Sequence, residues 1–149
     1  MTSTIRISCA LAGALLAVSP VAAGEKKLMH CFAFTVIEGA SEADWSAFEK
    51  ATDALPGKIP GISRVWHGKL RAPLAQFSTD AETRKKLTGG AKDVPGPVNR
   101  VVRQHGVCME MADEATLKSY STNPAHADWV KAYEKVRVAG TTTFDIIGK

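Results

Sequence analysis

The chain has 149 residues, of which 45% are hydrophobic and 23% charged, and its formal charge at pH 7 is +4. That is enough sequence for one domain with one core. The basic residues are mixed with acidic ones along the chain, with no Lys/Arg block and no interleaved aromatics, so nucleic acid is not an expected partner.

Arg6 supplies a positive start, an uncharged apolar run follows (CALAGALLAV, residues 9–18), and Pro20 breaks it. Val21 and Ala23 are small residues placed for cleavage before Gly24. This order predicts a secretory signal peptide over residues 1–23, a domain over 24–149, and a periplasmic or extracellular destination. The apolar run falls short of the ~20 residues that span a bilayer as a helix, so no stable membrane span is expected after cleavage, a retained anchor being the alternative. Cys31 and Cys108 remain in the mature chain. An oxidising compartment permits a disulfide between them, but two buried free thiols are the expected state.

Residues 28–37 (LMHCFAFTVI) are aromatic and β-branched and predict a strand. His30, Phe32, Phe34 and Val36 share one face of it, Met29, Cys31, Ala33 and Thr35 the other. Both faces are largely apolar, which predicts cover on both. Ser41 reads as the N-cap of a helix with Trp45, Phe48 and Leu55 on its apolar stripe, closed by Pro56-Gly57. A second strand is expected over 62–70. Residues 71–100 hold Pro73, Pro95, Pro97 and Gly89-Gly90 and few apolar residues. They read as an inserted loop, a lid or a solvated connection, with room for a short helix where Thr79 and Glu82 have capping-box spacing and Gly89 is a stop.

A third strand is expected over 101–113, with His105, Val107, Met109 and Met111 on one face. A short helix carrying Leu117 and Tyr120 follows. Asn123 then caps a second helix with Pro124 at its first position, bearing Trp129, Val130, Tyr133 and Val136 and ending near Gly140. Residues 141–147 (TTTFDII) read as the last strand. The order strand-helix-strand, strand-helix-strand predicts an α+β sandwich: a four-stranded antiparallel sheet with helices on one face.

The opening MHCFAF, the IPGI before a strand, the late Y-x-x-N-P-A-H and the closing FDI resemble the stress-responsive α/β-barrel domain family from about Leu28 to the C-terminus. The most specific piece runs from Tyr120 to His126, where this chain has Asn123 in place of a His that the family usually shows. His30 matches a family histidine in the opening strand, and His105 one that some members carry in the third. The resemblance implies a ferredoxin-like fold whose sheet packs against its twin, forming a dimeric α/β barrel as a homodimer. Met29, Cys31, Ala33, Cys108 and Phe144 are the residues expected on that face, and an isologous contact would cover it. The family spans stress-associated proteins and a plant polyketide cyclase that closes rings by aldol-type condensation, so function has to be read from the site.

If the first and third strands are neighbours, His30 and His105 project to one side, where His126 and Tyr120 join them. Phe32, Phe34, Val107, Met109 and Trp129 would line a pocket between sheet and helices, the usual form of a small-molecule site. His126 sits in a first helical turn, where the dipole disfavours an imidazolium. A neutral His126 would serve as base and Tyr120 as acid or oxyanion donor, a pair suited to proton abstraction beside a carbonyl. The alternative is structural: His126 bonds the backbone near Asn123, and Tyr120 packs its ring. A ligand-binding stress protein without turnover and a cyclase- or lyase-like enzyme therefore both stay open. His67 is expected to be exposed. A three-histidine metal site with Cys31, Cys108 or Glu110 lacks metal-ligand spacing, so no metal is expected; haem-attachment and dinucleotide-loop signals are absent too, so no cofactor is expected.

Overall fold

The computed structural model describes residues 27–148. The expected signal peptide lies outside the described residues. The elements run β1 (Leu28–Val36), α1 (Glu42–Asp53), α2 (Leu55–Lys58), β2 (Ile62–Thr79), α3 (Ala81–Thr88), β3 (Val98–Met111), α4 (Glu114–Tyr120), α5 (Pro124–Tyr133) and β4 (Arg137–Ile147). The strands form one sheet in the order β2-β3-β1-β4, with every neighbouring pair antiparallel. This is the ferredoxin-like α+β arrangement expected from the element order.

The caps follow from side-chain chemistry. Ser41 accepts from the Asp44 N–H at the start of α1, and Asn123 accepts from the Ala125 N–H at the start of α5. Each oxygen satisfies a backbone donor that has no partner within its helix. Pro56 and Gly57 do not close α1; they lie within the single turn of α2, beyond a break at Ala54.

One face of the sheet carries the core. Phe32 and Phe34 of β1 and Val107, Met109 and Met111 of β3 pack against Phe48, Leu55, Trp129 and Tyr133 from the helices. One hydrogen bond ties α5 to α1 inside it, the Trp129 indole N–H donating to Thr52 Oγ1 at 2.9 Å, and the Thr52 hydroxyl in turn donates to the Phe48 carbonyl within α1 at 2.7 Å. Burying these polar atoms costs little because each finds a partner.

Other expectations need correction too. Residues 71–100 are not an inserted loop: β2 runs on to Thr79, β3 begins at Val98, and their outer parts pair from Leu74↔Arg103 to Thr79↔Val98, after an irregularity between Lys69 and Leu74. Residues 71–78 of β2 and 98–100 of β3 are exposed, so neither face there required apolar alternation and these stretches carried no strand signal. The short helix exists, but Asp80 rather than Thr79 caps it, accepting from the Thr83 N–H, and Gly89 ends it. The cysteines are not free: Cys31 and Cys108 face each other in the β1–β3 register and are joined by a disulfide, with their Cα atoms 4.1 Å apart. The last helix ends at Tyr133, well before Gly140, and β4 begins at Arg137. Between β1 and β4 the register shifts, so that Phe34 pairs with Thr141 but Val36 with Arg137. Gly140, at φ 90°, takes up the extra length in a conformation that only glycine adopts without strain.

Candidate functional site

A cleft of about 230 Å³ opens between the β1–β4 edge of the sheet and α4–α5. β1 contributes His30 and Phe32, which alternation puts on the helix side, and α4 ends in Tyr120 at its rim. α5 brings His126 in its first turn, then Trp129, Val130 and Tyr133. Arg137, Thr141 and Thr143 line the remaining wall from β4. The register shift matters here. Three residues of β1, Phe34 to Val36, oppose the five from Arg137 to Thr141, and both Arg137 and Thr141 line the cleft.

At the other end three polar rings converge. The Tyr120 and His126 rings meet edge to face with centroids 4.3 Å apart, and the His30 ring lies 5.8 Å from Tyr120. Trp129 sits 5.5 Å from His126 and is itself stacked on Tyr133 at 4.7 Å. His30 Nδ1 lies 2.6 Å from Asp145 Oδ1. A carboxylate only accepts, so Nδ1 carries a proton and Nε2 is the ring nitrogen left facing away from Asp145.

The electrostatics separate the acid from the base. Burial, more than any other cause, pulls the His126 pKa below its ordinary value; His30 adds to the fall, and a hydrogen bond to the Ser121 backbone opposes it. Desolvation therefore favours the neutral ring. The backbone contact of the structural alternative is present as well, to Ser121. It uses one ring nitrogen as donor and leaves the other as acceptor. Burial pushes the Tyr120 phenol well above its usual range, and Tyr133 adds to the rise. Tyr120 therefore stays protonated and able to donate.

Of the residues singled out in the sequence, His30, Phe32, Tyr120, His126 and Trp129 are brought together on the cleft. His105 and Phe34 are not. Phe34 is fully buried in the core, and His105, its pairing partner across β1–β3, packs against Trp45 with ring centroids 4.8 Å apart. His30 pairs instead with Met109, four residues further along β3, or roughly 13 Å at the rise of a strand. Sharing a face did not bring the two histidines together, because alternation sets the side and not the distance. The His105 pKa is lowered by burial and by Lys69, with Glu49 opposing, and its Nδ1 is buried without a partner. His67 is not free at the surface: it is half-buried, with Nε2 2.9 Å from Asp53 Oδ1. Asp145, Arg137, Thr141 and Thr143 were missed. β4 was expected to begin only at Thr141, and an acidic residue in its middle gave no signal until its partner across the sheet was known.

Among the described residues no three His, Cys, Asp or Glu side chains are grouped to hold a metal ion, and no helix is long and apolar enough to cross a membrane.

Neither a protein-family model nor a curated protein matches the sequence. Solved structures do match. A hydroxynitrile lyase from Passiflora edulis superposes with a TM-score of 0.55 at 10% identity, covering 85% of this chain and 95% of that one. A dimeric ferredoxin-like protein of unknown function from Thermobifida fusca gives 0.53 at 13% identity, over 83% and 92% of the two chains. A dabb family protein with a ferredoxin-like fold from Mesorhizobium loti gives 0.53 at 14% identity, over 84% and 99%. The fold is ferredoxin-like. At these identities the likeness extends to the fold alone, and chemistry has to come from the side chains of the cleft.

Proposed function

We propose that this is an exported homodimeric α/β-barrel protein that binds a small apolar or carbonyl-bearing ligand in the cleft between sheet and helices. A stress-related role of the kind its resemblance implies would be served by such binding. The observation that carries the reading is the convergence of His30, Tyr120 and His126 over an aromatic wall of Phe32 and Trp129. A cleft with an aromatic wall and polar groups aimed at one point is how proteins orient small ligands. Export is supported by the Cys31–Cys108 disulfide, a bond that persists in oxidising compartments. Dimerisation is supported by the sheet face away from the helices, where Trp66, Phe144 and Ile146 are about half exposed around the buried Cys31. The Thermobifida fusca protein of the same fold is described as dimeric.

Native mass spectrometry of the purified protein tests the reading. A small molecule released on denaturation, and lost in Val130→Trp, which fills the cleft, is the expected result. A wild-type protein that carries no small molecule and binds no aromatic aldehyde or ketone would refute it.

The Tyr120–His126 contact favours a second reading, a lyase- or cyclase-like enzyme. His126 would take a proton from the carbon beside a carbonyl, the C–H electron pair would move to the carbonyl oxygen, and the Tyr120 hydroxyl would stabilise that oxyanion. Deuterium exchange at the α-carbon of acetophenone in D2O reads this step directly. Exchange that His126→Gln lowers by about 10²-fold or more, the low end of general-base contributions, supports the enzyme. Equal exchange with and without protein excludes it.

A further inference from the structure

The two ends of the cleft differ in chemistry. His30, Tyr120 and His126 occupy one end; Tyr133, Arg137 and Thr141 occupy the other. Along β4, Thr141 and Asp145 are four residues apart, roughly 13 Å of strand.

The second end holds polar groups that the protein does not satisfy. The Tyr133 hydroxyl and Arg137 Nε are both buried, and neither has a hydrogen-bond partner. Buried donors without acceptors are rare in folded proteins, because each forfeits its hydration without compensation. The Arg137 guanidinium lies over the Tyr133 ring, 4.6 Å from its centroid, and its ion pair is made through Nη2 to Glu134, loosely, at 3.6 Å. That pair leaves Nε unused.

The charge is only loosely compensated as well. A second guanidinium, Arg103, is only 7% exposed and bonds hydroxyls, those of Thr35 and Thr142. Among the described residues no carboxylate lies within ion-pair distance of it. The two arginines are near enough to Tyr133 to oppose the upward effect of burial on its phenol. Asp145, beside the opposite end of the cleft, is bonded to His30. An arginine fork fits the planar, two-oxygen geometry of a carboxylate, which the Tyr133 hydroxyl could also donate to.

We propose that the Arg137–Tyr133 end of the cleft holds a carboxylate, so that the ligand is a small acid whose carbonyl reaches the His126–Tyr120 end. The proposal deepens the small-molecule reading given above and rests on it. The carboxylate acts as the anchor that sets how far the carbonyl reaches along the cleft, and it answers the two unpartnered donors at once.

Calorimetric titration with 4-formylbenzoate, the longer 4-formylcinnamate, and the methyl ester of each tests it. At least one acid is expected to bind tenfold or more tighter than its own ester. Arg137→Gln is expected to bring that acid to within twofold of its own ester measured on the same variant. Tyr133→Phe, which removes only the hydroxyl, is expected to weaken the acid alone, by a few fold, with circular dichroism verifying that each variant is folded. Acids that bind no tighter than their esters, or a preference that survives Arg137→Gln, would overturn the carboxylate assignment while the cleft remains a small-molecule site. If neither acids nor esters bind, the cleft reading fails and this inference fails with it.

Discussion

Phe34 and Phe144 belong to neighbouring strands of one sheet, yet Phe34 is fully buried and Phe144 is half exposed. Phe34 points to the side covered by α1 and α5, where it meets Phe48 and Tyr133 edge to face. Phe144 points to the other side, opposite Cys31, on a face that the chain's own helices leave open. The helix side solves its packing within one chain and keeps only a narrow cleft at its β1–β4 edge. The open side is flat and apolar, pinned at its middle by the disulfide, with a shallow groove lined by Trp66, Gly68, Leu70 and Gly106. The sheet therefore divides its work: one face is suited to holding a small molecule and the other to holding a second sheet.

The sharpest break between the faces is energetic. Phe34→Ala is expected to cost about 3–5 kcal/mol, the range for deleting a buried aromatic ring, and to leave the domain barely folded in urea titrations. Phe144→Ala should move the stability of the isolated chain by about 0.5 kcal/mol or less. Similar losses at both positions would mean that the open face is packed within the monomer.

The disulfide comes next. It closes a separation of 77 residues, and its removal in the Cys31→Ser/Cys108→Ser protein is expected to cost about 2–4 kcal/mol by restoring freedom to the unfolded chain. Reduction of the wild type by dithiothreitol should reproduce that loss in thermal melts, with the cleft side chains unchanged. A double variant as stable as wild type would show that the bond does not hold the sheet.

Phe144→Glu addresses the open face. Light scattering is expected to show a wild-type dimer and a folded variant monomer, because an unpaired charge cannot be buried at an apolar centre without a cost of several kcal/mol. A wild type that is monomeric at all concentrations would remove the second sheet from the account.

The smallest effect is the pH dependence. His126 and His105 both titrate below their unfolded value of about 6.5. Between the depressed folded value and the unfolded one, the unfolded chain binds more protons, so stability rises with pH across that window and falls on acidification. Around His126 the group that adds to the effect is His30; around His105, Lys69 adds to it and Glu49 opposes it. His105→Gln should flatten the slope below about pH 6.5 in denaturant titrations, and a slope unchanged by both His105→Gln and His126→Gln would contradict the desolvation of these rings.

Much of the fold was legible because it rests on local rules. Alternation put Phe32, Phe34, Val107 and Met109 on one face, and Asn-Pro marked the start of α5 at the right residues. Tyr120 and His126 were legible as a pair because a short turn joins their two helices. What was not legible depended on register and on long-range pairing. The same parity that put Cys31 and Cys108 on one face could not show that they stand opposite each other. The same parity put His30 and His105 on one face and could not show them four residues apart. Arg137 was hidden for a different reason. The stretch from Tyr133 to Gly140 reads as the tail of a helix, and only the register shift around Gly140 makes Arg137 the first residue of β4 and a wall of the cleft.

On the proposed function, a ligand is held in the cleft at His126 and not in the core around His105. Imidazole resonances in two-dimensional NMR, followed while 4-formylbenzoate is added, test it most directly. The His30 and His126 rings are expected to shift in a saturable way while His105 and His67 stay where they are. Shifts of His105 equal to those of His126, or no saturable shift of His126, would contradict it.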